Sequence, residues 1–253
     1  MTGKVSVTAH RGASAHAPEN TMAAFRLAAE AGADLIEFDV HLTADDELVV
    51  IHDDALDRTT DGTGAVRERT LAEIRALDAS HGDARHPGER VPTLEEVVTW
   101  AMGTALGLSV EIKQPSPIGG RPRYPLVEER VLDLLRAHGA LARSLIHSFD
   151  HATVRRVREL EPGVATGVTF GSGSFVDPLA PARAADASGI HPSWSWLTPE
   201  ICRSAHDAGM HVSAWGLRDP LDAERVGPIV RAGVDLLTVD DPGALRRILA
   251  SNV

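Results

Sequence analysis

Aromatic residues are scarce, with four tryptophans, five phenylalanines and a single tyrosine among 253 residues. So sparse a set offers no large exposed aromatic interface of the kind that binds a macromolecular partner. Cysteine is rarer still. The lone Cys202 excludes an internal disulfide and a cysteine metal site, and its place after Ile201 in a helical pattern marks it as a small packed hydrophobe. Cations are in deficit, 25 Lys and Arg against 36 Asp and Glu, and the formal net charge of -11 argues against a nucleic-acid or anionic-membrane partner. An anionic substrate therefore needs locally placed cations. Long apolar runs are missing as well. Nothing approaches the ~18 apolar residues of a membrane span, and the opening MTGKVSVTAHRG holds no apolar core followed by a small-residue cleavage site. A soluble, cytoplasmic protein with no stable membrane anchor is the expectation.

What the chain does contain is a rhythm. Short apolar strands, expected at 5–9, 35–40, 108–112, 144–148, 164–169, 189–191, 210–215 and 235–239, alternate with amphipathic helices. Eight such units close a barrel, and about 250 residues is the usual length of one. The expectation is a single (β/α)8 TIM-barrel domain over 1–253. Helix punctuation agrees: Asn20 is expected to cap a helix through Glu30, Thr93 with Glu96 and Thr70 with Glu73 form capping boxes, and Thr198-Pro199 and Asp241-Pro242 read as cap-then-proline starts. One segment breaks the rhythm. Residues 47–51 read as an extra strand returning toward His52, and 54–92 as an insertion rich in Asp, Arg, Thr and Gly, expected over the C-terminal face where barrels build their active sites.

The second strand carries Glu37 and Asp39 inside an apolar run. An ionised carboxylate is costly to bury unless it is paired or bound to a metal. Residues two apart on a strand share a face, roughly 6.6 Å apart, so these two can converge on one cation. A half-exposed edge strand would read the same way, and the neighbouring strands shift the balance: Ser109, Glu111 and Lys113 fall in the inward phase of the third strand, and Ser6, Thr8 and His10 in that of the first. Glu37, Asp39 and Glu111 are hard oxygen ligands, suited to Mg2+ or Ca2+ rather than Zn2+. His10 and His52 are the candidate general acid and base, and Arg11 and Lys113 the candidate holders of phosphate oxygens. Asp53 either orients the His52 ring or caps a turn, the turn being favoured. His147, His191 and His211 lie in or beside strands, open to substrate contact, whereas His16, His41, His81, His86, His138, His151 and His206 fit loops or helix surfaces. Gly62-Thr63-Gly64 reads as a glycine-rich turn in preference to a phosphate cradle.

Taken together and in order, His10-Arg11-Gly12, Pro18-Glu19-Asn20-Thr21, Glu37-x-Asp39, His52-Asp53, Arg58-Thr59-Thr60-x-Gly62-Thr63-Gly64, Pro92-Thr93-Leu94-x-Glu96 and Glu111-Ile112-Lys113 resemble the glycerophosphodiester phosphodiesterase family. His147-Ser148-Phe149-Asp150, Trp215 and Asp240-Asp241-Pro242 extend the similarity through nearly the whole chain. The resemblance implies a (β/α)8 barrel with a small inserted subdomain. It also implies metal-dependent hydrolysis of small glycerophosphodiesters to glycerol 3-phosphate and an alcohol such as choline, ethanolamine or glycerol. By the same similarity His10 and His52 are the acid/base pair, Glu37, Asp39 and Glu111 the ligands of one Mg2+ or Ca2+, Arg11 and Lys113 the phosphate clamp, Trp215 a substrate contact and Glu19 a loop anchor. The chain departs from the family after Trp215, where Gly216, Leu217 and Arg218 replace a usual Thr-Val-Asn, and at Val239, where a threonine is common; contacts to the glycerol or the alcohol differ accordingly, and Arg218 favours a more anionic substrate. Two other readings remain: a lysophospholipase D-like reaction, disfavoured by the polar 54–92 segment, and a catalytically silent diester-binding barrel, disfavoured by the intact acid/base and ligand set. A monomer and a homodimer are equally compatible.

Overall fold

A computed structural model describes residues 5–115, 122–171 and 176–251. The first four residues of the opening segment lie outside that set. The chain runs β1 (Ser6–His10), α1 (Met22–Glu30), β2 (Leu35–Leu42), β3 (Leu48–Val50), α2 (Leu71–Ala76), α3 (Leu94–Met102), β4 (Gly107–Ile112), α4 (Val127–Ala137), β5 (Ser144–Ser148), α5 (His151–Leu160), β6 (Ala165–Phe170), α6 (Ala180–Ala184), β7 (Gly189–Pro192), α7 (Pro199–Asp207), β8 (His211–Leu217), α8 (Ala223–Ala232), β9 (Leu236–Val239) and α9 (Pro242–Ala250). All of these strands except β3 pair in parallel, and β1 pairs with both β9 and β2, so the sheet closes on itself. The eight-stranded (β/α)8 barrel expected from the rhythm is the fold. β3 is the returning strand, antiparallel to β2 through Val40↔Val50. β8 runs on to Leu217, past the expected end at Trp215, because a bulge with Gly216 at φ 86° carries the strand further.

Strand alternation sorts the side chains as the sequence requires. Ile36, Phe38 and Val40 face outward and bury themselves with Phe25 of α1 and Leu94, Val97 and Val98 of α3. Phe25 and Phe38 meet edge to face at 5.9 Å, an arrangement that contributes roughly 0.5–1.5 kcal/mol beyond area burial. A second cluster on the other flank of the barrel joins Val7, Val168, Ile190, Val212 and Leu237 to the helices outside them, and Cys202 sits fully inside it. The segment after β3 has an apolar centre of its own, with Leu56, Val66, Ile74 and Val91 packed on Val49 and Ile51.

Helix starts follow local chemistry, with one correction. Thr70 with Glu73 and Thr93 with Glu96 form the reciprocal capping bonds, and Thr198 and Asp241 cap the two proline-led helices. At α1 the cap is Thr21, whose Oγ1 accepts from the Ala24 N–H at 3.3 Å, and not Asn20. Asn20 takes a left-handed φ of 56°, unlike the extended backbone a cap needs, and turns inward to the buried Asp39. Among the described residues no helix is long and apolar enough to cross a membrane.

Candidate active site

β1 ends in a turn that only a particular sequence allows. Gly12 has φ 81°, and a Cβ there would lie 2.6 Å from the Ala24 carbonyl carbon of α1, so any side chain would drive strand and helix apart. The turn folds the Arg11 N–H onto Glu37 Oε2 at 3.0 Å and sends the guanidinium toward Glu19 at 2.9 Å and Asp39 at 3.4 Å. Parallel register then aligns the chemistry. His10 lies opposite Glu37, and Asp39 opposite Glu111.

Glu37, Asp39 and Glu111 are buried and each offers an oxygen within 4.8 Å of the others. Lys113 Nζ lies 2.5 Å from Glu111 Oε1 and 2.9 Å from Asp39 Oδ1, and Asn20 donates to Asp39 Oδ2 at 2.8 Å. These neighbours split the triad. Burial raises the Asp39 carboxyl, but Lys113 and Arg11 outweigh it and hold Asp39 well below the usual carboxylate range. Glu37 is pushed well above that range by burial and by the charges of Asp39 and Glu111, and Glu111 is also raised, chiefly by burial. Three buried carboxylates repelling one another, with oxygen as the sole donor type, fit a hard divalent cation such as Mg2+ or Ca2+. A bound cation would relieve the repulsion that lifts Glu37.

Two imidazoles flank the triad, and each is oriented in the same manner. His10 Nδ1 is 2.6 Å from Asp240 Oδ1, and His52 Nδ1 is 2.6 Å from Asp53 Oδ1. Asp53 thus orients the ring, contrary to the turn-capping role favoured from sequence, because Arg58 fixes both of its oxygens at 2.7 and 3.0 Å. Arg58 is itself gripped by Glu19 through two bonds of 2.8 Å, which makes Glu19 an anchor between Arg11 and Arg58. Asp240 is held by Ser14 Oγ at 3.3 Å and by Arg218 at 3.2 Å. Burial pushes the His52 imidazole down, assisted by Lys113 and Arg11 and opposed by Asp39.

A cavity of about 280 Å³ opens over these groups, and His10, Arg11, Glu37, His52, Glu111, Lys113 and Trp215 all line it. Asp39, 1% exposed, completes the triad beneath them. The residues expected to form the acid/base pair, the carboxylate set and the phosphate clamp, and Trp215, are therefore brought to one place. The remainder of the lining differs in character: His147, Thr169, His191, Ser213 and Thr238 form a buried polar floor, while Phe149, Trp215 and Arg218 stand toward solvent. His147 is pushed down to about 3 by burial, and His191 well below the imidazole range by burial and then by His147 and His211, so the floor is uncharged near neutral pH. Trp215 donates Nε1–H to the His191 carbonyl at 3.0 Å and meets Phe149 edge to face at 5.4 Å.

Some readings from sequence change. His41 is not a surface residue: it is 2% exposed, its Nδ1 is 2.8 Å from the Tyr124 hydroxyl and its Nε2 is 3.0 Å from the His52 carbonyl, so it braces the segment that carries His52. Gly62 and Gly64 are turn residues as read, their N–H groups engaged by Thr60 and Asp57. Asp240, Ser14, Arg58 and Asn20 were not assigned a part beside the imidazoles or the triad. Asp240 had a usable signal, since it directly follows the strand whose Val239 pairs with Ala9 and so must emerge beside His10.

Likeness to known proteins decides the family. The model of the glycerophosphoryl diester phosphodiesterase family matches residues 10–244. The chain belongs to that family. It is 38% identical over 96% of its length, and 96% of the relative's, to a glycerophosphodiester phosphodiesterase of Caldanaerobacter subterraneus subsp. tengcongensis. A glycerophosphodiester phosphodiesterase of Agrobacterium tumefaciens superposes with a TM-score of 0.82 at 30% identity, covering 96% of this chain and 99% of that one. An Oleispira antarctica phosphodiesterase, solved in complex with its product sn-glycerol-3-phosphate, superposes with a TM-score of 0.85 at 29% identity, covering 97% and 96%. Family membership makes the chain a phosphoric diester hydrolase, and the cavity at the strand ends is its candidate active site.

Proposed function

We propose that the chain hydrolyses small glycerophosphodiesters to glycerol 3-phosphate and an alcohol, with His10 and His52 as the acid/base pair and Glu37, Asp39 and Glu111 as ligands of one Mg2+ or Ca2+. The observation that carries this reading is the gathering of two carboxylate-oriented imidazoles and a buried carboxylate triad at one cavity. With Nδ1 donating to its aspartate, each imidazole keeps Nε2 for proton exchange. One ring takes the proton of the nucleophile, water or the glycerol 2-hydroxyl, and the other returns a proton to the departing alkoxide. Arg11 and Lys113 exchange part of their hold on the carboxylates for phosphoryl oxygens and offset the charge that gathers there. The cation supplies Lewis-acid polarisation of the phosphoryl group. Trp215, against Phe149, walls the open side of the cavity. We place the insertion 54–92 within the one domain, as the part that supplies Arg58 behind His52. We take the chain to act as a cytoplasmic monomer or homodimer, and its lone buried thiol, Cys202, suits a reducing compartment.

The test is release of glycerol 3-phosphate from glycerophosphocholine by EDTA-stripped protein, with Mg2+ and Ca2+ returned separately. Turnover restored by one of them, and depressed roughly 10²- to 10⁴-fold in His10→Ala or His52→Ala, is the expected result. A folded, cation-loaded protein that binds the diester without turning it over, or that prefers dispersed lysolipid, would overturn it.

A further inference from the structure

Three cationic side chains line the cavity, and they are not equivalent. Arg11 and Lys113 are each 13% exposed and tied to the triad or to Glu19, within the set of groups proposed to hold phosphate and metal. Arg218 is 65% exposed, and among the described residues its guanidinium is held through the 3.2 Å contact of Nη1 with Asp240 Oδ2. It stands at the solvent end of the cavity beside Trp215. The backbone that presents it is built: β8 carries a bulge with Gly216 at φ 86°, and Arg225 of α8 donates to the carbonyls of Arg218 at 2.9 Å and Pro220 at 2.6 Å.

A diester has two unlike halves, and the cavity has two unlike ends. The floor of His147, Thr169, His191, Ser213 and Thr238 is buried, uncharged and rich in hydroxyls and imidazoles, which suits a polyol. The solvent end is open and can take groups of varied size, so it suits the departing alcohol. The aspartates near Arg218 are divided among other cations: Asp240 is shared with His10, and Asp241 caps α9 and pairs with His16 at 3.0 Å. Asp219, next along the chain, has His16 and Arg225 as nearby cations. The Phe149 face already meets a cation, since Lys113 Nζ lies 5.9 Å from the centre of its ring.

We propose that Arg218 selects the leaving alcohol, favouring glycerophosphodiesters whose alcohol carries a carboxylate or phosphate and disfavouring those whose alcohol is cationic. The proposal rests on the diesterase reading, with the alcohol half at the solvent end. A guanidinium with one weak partner can add a bidentate contact to an oxyanion without leaving Asp240, whereas choline would bring a fixed positive charge beside it.

The experiment compares kcat/KM for three glycerol 3-phosphate diesters, those of glycolic acid, glycerol and choline, in the wild type and in Arg218→Gln, Arg218→Lys and Arg218→Glu. The wild type is expected to prefer the glycolate ester to the choline ester by about tenfold at low salt, narrowing as salt rises. Arg218→Gln brings that ratio near one, Arg218→Lys retains most of it, and Arg218→Glu inverts it. Any effect of Arg218 transmitted through Asp240 to His10 slows all three esters alike and leaves the ratio unchanged. Turnover of all three without charge preference, or a ratio unmoved in Arg218→Gln, overturns the role of Arg218 and leaves the diesterase reading standing. Turnover of none, by folded and cation-loaded protein, overturns both.

Discussion

Two sides of the barrel interior handle buried titratable groups in opposite ways. Toward β1, β2 and β4, Glu37, Asp39 and Glu111 are packed with Arg11 and Lys113, and charge is met by charge. Toward β5 to β8, His191 packs tilted against His147 and edge-on against His211, with His191 Nε2 3.0 Å from His211 Nε2, and burial lowers all three imidazoles. Desolvation acts on both sides. On the first it is offset only in part by counter-charges, which leaves a set of oxygens that could hold a divalent cation; on the second it is avoided by never ionising. The first side is therefore equipped to bind ions, and the second to bind neutral hydroxyls.

The largest test of this contrast is Asp39→Asn. It removes the carboxylate on which Lys113, Arg11 and Asn20 all converge, and turnover is expected to fall on the order of 10³-fold, read in steady-state rates at saturating Mg2+ or Ca2+. Retained activity would show that the charged side is not the reacting side. Next comes cation binding itself, read without activity: thermal unfolding of EDTA-stripped protein should shift upward when the ion is returned, by about 2.7 kcal/mol at a hundredfold excess over Kd. Glu37→Gln should shrink that shift while making the stripped protein more stable, because it deletes the carboxylate whose ionisation is most opposed. Asp240→Asn and Asp53→Asn, which leave each imidazole in place without its charged partner, should each lower kcat by roughly 10- to 100-fold with little change in KM.

The neutral side makes a smaller and different prediction. The folded pKa of His191 lies below its unfolded value, so the unfolded chain binds the extra proton first as pH falls. Stability is complete above the ordinary imidazole pKa and declines beneath it, by up to about 1.4 kcal/mol per pH unit for such a group. Denaturant unfolding at pH 7.5 and 5.5 should show that loss in the wild type and a smaller one in His191→Gln; equal losses would contradict a buried neutral imidazole. Gly167→Ala tests the packing of the same side. A Cβ there would sit 2.2 Å from His191 Nε2, and the displaced ring should cost roughly 1–3 kcal/mol without touching the triad.

Much was legible in the sequence because it depends on local periodicity. Alternation with period two puts Glu37, Asp39, Ser109, Glu111 and His10 in the inward phase of their strands, and eight strand–helix units are the number that closes a barrel. Capping boxes at Thr70 and Thr93 are four-residue chemistry and read directly. What could not be read depends on contacts between distant segments. Asn20 looks like a helix cap until Asp39, 19 residues away in the chain, takes its amide. His41 looks like a surface residue until Tyr124 covers it. Asp53 looks like a turn cap until Arg58 and Glu19 fix it on His52, and Asp240 meets His10 across 230 residues. Residue type and spacing were enough for the barrel and for the carboxylates and imidazoles proposed to react, and the ordered motifs were enough for the family. Only the tertiary structure decided how each reacting group is oriented, which carboxylate is destabilised and where an exposed cation is left, because hydrogen-bond direction and burial arise when segments remote in the chain close on one another.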